Sequence, residues 1–140
     1  MLYQAYFDGS NDIKKQQSKV GGFILSPNNE IVFKFSHKIN HEKGSHRVEY
    51  ESLLWTLRYA NRLGIKAIKI CGDCKSIIDH VNNNAKINNC IKKRNKFDKL
   101  SNKMDVCIVE WIPRKKNHIA NYMSRRNSKI EKVFKIELQK

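Results

Sequence analysis

The hydrophobic pattern is purely β-type up to about residue 44 and alternates between helical and β-type after it, and that order limits what the chain can fold into. Before residue 44, apolar residues come in short β-type runs: "LYQAYFD" (2–8), "VGGFILS" (20–26) and "EIVFKFSHKI" (30–39). "SNDIKKQQSK" reads as a polar loop, and "PNN" supplies the turn that makes the second and third runs a hairpin. After it, a helical period appears first. It predicts a helix over 45–63, with Ser45 as N-cap and Gly64 as the C-terminal stop. "IKAIKIC" (65–71) then reads as a strand and "CKSIIDHVNN" (74–83) as a short helix. "IKKRNKFDKLSNKM" (91–104) is a basic amphipathic helix and "VCIVEWI" (106–112) a strand. From Asn117 the pattern is helical again, and "VFKIEL" fits a helix or a strand equally well. A meander followed by β-α-β units predicts an α/β fold, a mixed sheet with helices against its faces. No linker or repeat divides the 140 residues, so the expectation is a single domain over 1–140.

Charge bounds the partner. Lys and Arg number 28 against 13 Asp and Glu, a net charge of +15. A surplus of this size favours a polyanion, although a Lys-, Asn- and Ile-rich composition from an AT-rich genome gives the same count. There is no apolar run of transmembrane length and no secretion signal. The expectation is an intracellular, cytoplasmic chain with reduced cysteines, no membrane partner and a monomeric state.

Three carboxylates stand out, each with an ordinary reading beside it. At about 100° per residue, Glu49 falls on the same side of its helix as Leu53, whereas Glu51 falls nearly opposite, beside Arg58 and Arg62. Glu49 therefore faces the sheet and must be paired, protonated or metal-bound there, or else it is a solvated first-turn glutamate. Glu51 reads as surface charge. Asp73 lies between a strand and a helix, where α/β sheets place their sites and where an N-cap also belongs. Asp8-Gly9 is a common turn, yet it ends a first strand placed beside the one that ends at Asp73. Converging carboxylates of this kind suit hard divalent cations.

With "AYFDGS", "SHRVEYESLLWTLRYANRLGI", "CGDCKSII" and "WIPRKKNHIAN" in this order over residues 3 to 124, the chain resembles the ribonuclease H-like family, in particular its short bacterial, plant and reverse-transcriptase-associated type. The resemblance implies a three-layer fold with a five-stranded mixed sheet. Strands 1–3 would form the antiparallel meander and strands 4 and 5 the parallel part. It implies that Asp8, Glu49 and Asp73 hold two Mg²⁺ or Mn²⁺ ions and that the RNA strand of an RNA–DNA hybrid is hydrolysed by a two-ion mechanism. The 2′-OH would distinguish RNA from DNA. Gly9 and Ser10 would contact the cleaved strand, and Arg114, Lys115 and Lys116 would contact phosphates. The run Lys92, Lys93, Arg94 and Lys96 is either a further set of phosphate contacts or a solvated helix face.

The chain departs from the family pattern in two places. Asn121 stands where the fourth carboxylate is expected. An amide oxygen can ligate a divalent ion, but a charge lost about 4 Å from a cation is worth up to a few kcal/mol at an effective dielectric of about 20. Ser45-His46 replaces an asparagine pair that touches the hybrid, leaving His46 as a binding candidate. His118 is a candidate for proton transfer or product release that the pattern does not require. Asn121 also supports a rival reading, a weak or inactive nucleic-acid-binding adaptor. A redox or zinc role for "CGDC" competes too. It leaves Asp8, Glu49 and the charge unexplained, and no second CxxC exists in the sequence.

Overall fold

The structure, a computed structural model, describes residues 1–83 and 90–120 and the backbone of 133–135. Its strands are β1 (Tyr3–Asp12), β2 (Gln17–Leu25), β3 (Ile31–Ile39), β4 (Ala67–Gly72), β5 (Val106–Trp111) and β6 (Val133–Lys135). Its helices are α1 (Ser45–Arg62), α2 (Lys75–Asn83) and α3 (Ile91–Ser101). The sheet order is β5-β4-β1-β2-β3-β6. β1, β2 and β3 form the expected antiparallel meander, and β4 and β5 run parallel to β1. The five expected strands are thus present. "VFKIEL" contributes a short sixth one, antiparallel to β3, which resolves its ambiguity in favour of a strand over Val133–Lys135.

β1 corrects one expectation. It does not end at Asp8 but runs on to Asp12, paired with β2 as far as Asp12↔Gln17. The polar residues 9–12 are strand by pairing rather than by hydrophobicity. Asn11 is fixed on both sides: the Ser18 hydroxyl donates to its Oδ1, and its own Nδ2 donates to the Glu42 carbonyl at 2.8 Å. The reversal into β2 is a tight turn at 13–16, closed by Gln16 N–H on the Ile13 carbonyl at 3.3 Å.

α1 covers the sheet with Val48, Leu53, Leu57 and Ala60, all fully buried. Its N-cap is Gly44 rather than Ser45, because φ there is +96°, a conformation that glycine adopts without cost. Its end follows expectation. Gly64 N–H reaches the Asn61 carbonyl and Ile65 N–H the Ala60 carbonyl, a Schellman closure with Gly64 at φ +76°. Ile65 is buried just beyond it, so the stop also anchors β4. α3 ends at Ser101, short of the expected 104.

Glu51 is a second correction. It is buried, 9% exposed, and bound by Lys93 of α3 at 2.6 Å; Lys93 also reaches Glu42 at 3.2 Å. A helical wheel with one apolar face cannot anticipate this, because α1 is flanked by α3 as well as by the sheet. Among the described residues no helix is long and apolar enough to cross a membrane. Residues 118–120 are helical as expected; the rest of the segment expected to be helical, with Asn121, lies outside the described residues.

Candidate active site

The parallel pairing of β1 with β4 ends at Tyr6↔Cys71. Two residues further along each chain stand Asp8 and Asp73, so the register brings them level at the carboxyl end of the parallel strands. α1 crosses above and adds Glu49. One carboxylate oxygen from each of the three lies within 4.8 Å of the others. Asp8 is buried, at 4% exposure, and Asp73 is half-buried.

Two glycines make this approach possible. A Cβ on Gly9 would sit 2.6 Å from the Val48 carbonyl oxygen, so any side chain there would push α1 off the strand. Without one, Gly9 N–H donates to Glu49 Oε1 at 2.5 Å and fixes that carboxylate over the strand. A Cβ on Gly72 would meet the Phe7 ring at 2.4 Å; its absence lets the core close under Asp73.

Asp73 is held from two further directions. The Trp111 indole N–H donates to its backbone carbonyl at 3.1 Å, and Asn117 Nδ2 approaches its Oδ2 at 3.4 Å. Asn117 is buried, at 1% exposure, and the same amide donates to the Phe7 carbonyl at 2.9 Å. One side chain thus ties β1 to Asp73. It is placed by a 3₁₀ turn over Arg114–Asn117 that starts after Pro113. Sequence reasoning assigned Asn117 no role. Its signal was an asparagine closing the run "PRKKN", which a surface loop would not bury.

Electrostatics single out the same place. Burial is the main force pushing the Glu49 carboxyl well above the ordinary carboxylate range. The negative charge of Asp8 and a hydrogen bond with it add to the shift, Cys74 adds a little, and Gly9 N–H opposes it. Carboxylates crowded out of water against each other favour a cation among them or a proton on one of them. The donors fit a divalent cation: three hard oxygens, all within 4.8 Å of one another, against the roughly 3–4 Å between oxygens around an octahedral ion at about 2.1 Å.

The carboxylates floor an open cavity of about 1250 Å³. Gly9, Ser10 and Arg114 line it. So do Lys14, Lys15 and Lys19 of the β1–β2 hairpin, with His41 and Lys43 from the loop before α1. The sequence shows residues 10–19 only as a polar loop, because only the fold reveals that the hairpin and the α1 entrance form two sides of one cleft. Lys115, Lys116 and His118 lie exposed beyond that lining; His118 Nδ1 contacts the Lys115 carbonyl at 3.2 Å. His46 packs beside Gly44, also outside the lining. The basic run on α3 does not reach the cleft. Lys92 and Lys96 are exposed, and Lys93 is bound between Glu42 and Glu51. Arg94 donates to the His80 carbonyl at 2.6 Å and to Asp98 at 3.1 Å.

The cysteines have another character. All four are free thiols. Burial pushes Cys71 up to about 11, away from the thiolate that redox chemistry requires. Among the described residues the one metal-competent cluster is Asp8, Glu49 and Asp73.

Comparison with known proteins agrees with this geometry. Residues 6–127 match the family described as reverse transcriptase-like. No match was found among the curated proteins. Among solved structures, RNase H1 from the halophilic archaeon Halobacterium salinarum NRC-1 superposes with a TM-score of 0.81 at 23% identity, covering 88% of this chain and 94% of that one. The N-terminal RNase H domain of a Mycobacterium tuberculosis protein gives 0.79 at 18% identity, covering 87% and 89%. LC11-RNase H1, solved in complex with an RNA/DNA hybrid, gives 0.72 at 18% identity, covering 86% and 92%. At these identities the structures speak for the fold, and the family match spans most of the sequence: the chain belongs to the reverse transcriptase-like group of ribonuclease H-like proteins.

Proposed function

We propose that the chain is a metal-dependent endoribonuclease that cuts the RNA strand of RNA–DNA hybrids. One observation carries the reading: three carboxylates from distant sequence positions converge on the floor of a cleft walled by lysines and an arginine. Hybrid binding by the structural neighbour LC11-RNase H1 supports the choice of substrate.

Asp8, Glu49 and Asp73 would hold two Mg²⁺ or Mn²⁺ ions, with position 121 as a further ligand. When bound, such ions supply the activation of a water and the stabilisation of a leaving 3′ oxygen. The chain's own residues do the rest. Gly9 N–H and Asn117 Nδ2 hold Glu49 and Asp73 in their orientations before substrate arrives. Lys14, Lys15, Lys19, Lys43 and Arg114 draw the phosphate backbone across the carboxylates. Gly9 and Ser10, at the cleft floor, touch the strand to be cut, and the 2′-OH beside the scissile phosphate marks it as RNA.

Asn121 favours a second reading, an adaptor that binds hybrid and cuts it poorly or not at all. A labelled hybrid incubated with Mg²⁺ or Mn²⁺ separates the two. Cleavage by the parent chain that disappears in Asp73→Asn supports the nuclease. Tight binding without cleavage in either metal would leave the adaptor. Asn121→Asp should raise the rate if the amide limits turnover.

A further inference from the structure

A second basic recess lies at the other end of α1. It measures about 510 Å³ and is lined by Arg58, Asn61, Arg62, Lys66, Leu100 and Lys103, with no carboxylate among them. Among the described residues, none of its four cations is in a salt bridge. Lys66 immediately precedes β4 and Asp73 immediately follows it, so the recess and the carboxylate cleft occupy opposite ends of a six-residue strand, about 20 Å apart. A duplex seated over the carboxylates does not thereby fill the recess.

Two of the cations sit over aromatic rings. Arg58 Cζ lies over the Trp55 ring, 4.8 Å from its centre, and Arg62 Cζ lies over the Tyr59 ring at 5.5 Å. The rings are themselves fixed. Trp55 and Tyr59 pack 5.6 Å apart, and the Tyr59 hydroxyl is 2.8 Å from Nε2 of the buried His37. His37 Nδ1 lies 3.1 Å from the Lys38 carbonyl, so it donates there and leaves Nε2 to accept from Tyr59. A guanidinium held over a ring still carries N–H donors that can grip a phosphate with two parallel hydrogen bonds. Arg58 and Arg62 are four residues apart, about 6 Å along the helix, which lets them take neighbouring phosphates of one strand. Lys66 and Lys103 stand beside them, joined by Lys66 Nζ on the Lys103 carbonyl at 3.2 Å. The floor is pinned where Asn61 Nδ2 donates to the Leu100 carbonyl at 3.2 Å. Four like charges gathered without a counter-charge repel one another, and a polyanion relieves that repulsion.

We propose that this recess is a second nucleic-acid site, which grips the phosphate backbone of a segment separate from the one in the cleft, without reading bases. The proposal does not require the cleft to cleave anything, because it is tested by binding in the presence of a chelator. The full chain is titrated with a short fluorescent RNA–DNA hybrid and with a single-stranded DNA over a series of salt concentrations. The expected result is two binding events on the parent chain. Arg58→Glu/Arg62→Glu should lose one of them and flatten the dependence of log affinity on log salt by about 0.7–0.9 for each phosphate contact removed. Lys66→Gln/Lys103→Gln, which leaves α1 untouched, should weaken the same event. Thermal unfolding checks that both variants fold, and cleavage of the short hybrid should keep the parent rate. A single binding event on the parent chain overturns the proposal. So does an unchanged affinity and salt slope in both variants, or a parallel loss of cleavage and of both binding events in folded protein. Absence of cleavage by the parent chain would count against the nuclease reading alone.

Discussion

Glu49 and Glu51 sit two residues apart on α1, and both have left bulk water, yet the two sides of the helix treat them in opposite ways. Glu51 leans toward α3 and meets Lys93, which also holds Glu42. Glu49 leans toward the sheet and meets Asp8 and Asp73. A buried carboxylate beside a cation has its charge balanced within the fold. A buried carboxylate beside other carboxylates is costly until something positive or protic joins it. The first arrangement is complete within the fold; the second, although Gly9 N–H ties it to β1, leaves negative charge unbalanced and makes a candidate site. Glu49 has the less favourable surroundings and is the more informative residue.

This contrast is broken most directly at the sheet side. Asp8→Asn removes one of the three clustered charges while keeping the shape, and on the proposed function should lower hybrid cleavage by about 10³-fold or more, about 4 kcal/mol in the barrier. The melting temperature in chelator should hold or rise, because one of the crowded negative charges is gone. Cleavage near the parent rate would remove the carboxylates from the mechanism.

On the other side the effect is on stability. Lys93→Met strands two carboxylates, Glu51 at 12% and Glu42 at 21% side-chain exposure. Breaking a buried pair costs about 3–5 kcal/mol; residual exposure places this case near the lower end. Denaturant unfolding should show the loss, with cleavage of the folded fraction little changed. Lys93→Met/Glu51→Gln should recover part of it. A single variant as stable as the parent would return Glu51 to the surface role that the helical wheel assigned it.

The same contrast shows what was legible beforehand. The order of β-type and helical periods gave the meander and the β-α-β order, because side-chain alternation and helical spacing are local properties. Glu49 was legible for the same reason, since it shares a face with Leu53. Glu51 was not, because its partner arrives from α3, 42 residues away. Lys14, Lys15, Lys19 and Lys43 were hidden in the same way, since a cleft wall belongs to the fold and not to any segment. The Asn11–Ser18–Glu42 stitching that extends β1 past Asp8 is equally non-local. Asn117 lies between these cases: its place in the motif was visible, but its burial against Phe7 and Asp73 was not.

Asn117 therefore gives a milder test of the sheet side. It touches a carboxylate rather than serving as one, so Asn117→Ala should cost about 10–100-fold in cleavage, as losses of supporting hydrogen bonds around metal sites do. Metal titration should show the weaker affinity, and raised Mn²⁺ should restore part of the rate. A rate loss that no metal concentration relieves would make Asn117 a support for β1 alone.

The smallest effect is a dependence of stability on pH in metal-free protein. Burial and Asp8 raise the Glu49 carboxyl, so the folded state holds a proton that the unfolded chain releases near the ordinary glutamate value. For a raised pKa, the stabilising contribution is complete below the unfolded value and fades as pH climbs through the folded one. In chelator, the melting temperature should fall by a few degrees over that rise. Glu49→Gln, which carries its hydrogen permanently, should flatten the fall. A divalent ion competes with the same proton, so its affinity should increase across the same interval and its addition should reverse the fall. Glu51→Gln serves as the control, because it lies outside the cluster and loses only its tie to Lys93. If Glu51→Gln flattened the curve and Glu49→Gln did not, the titrating carboxylate would lie on the α3 side and the division between the two faces of α1 would be reversed.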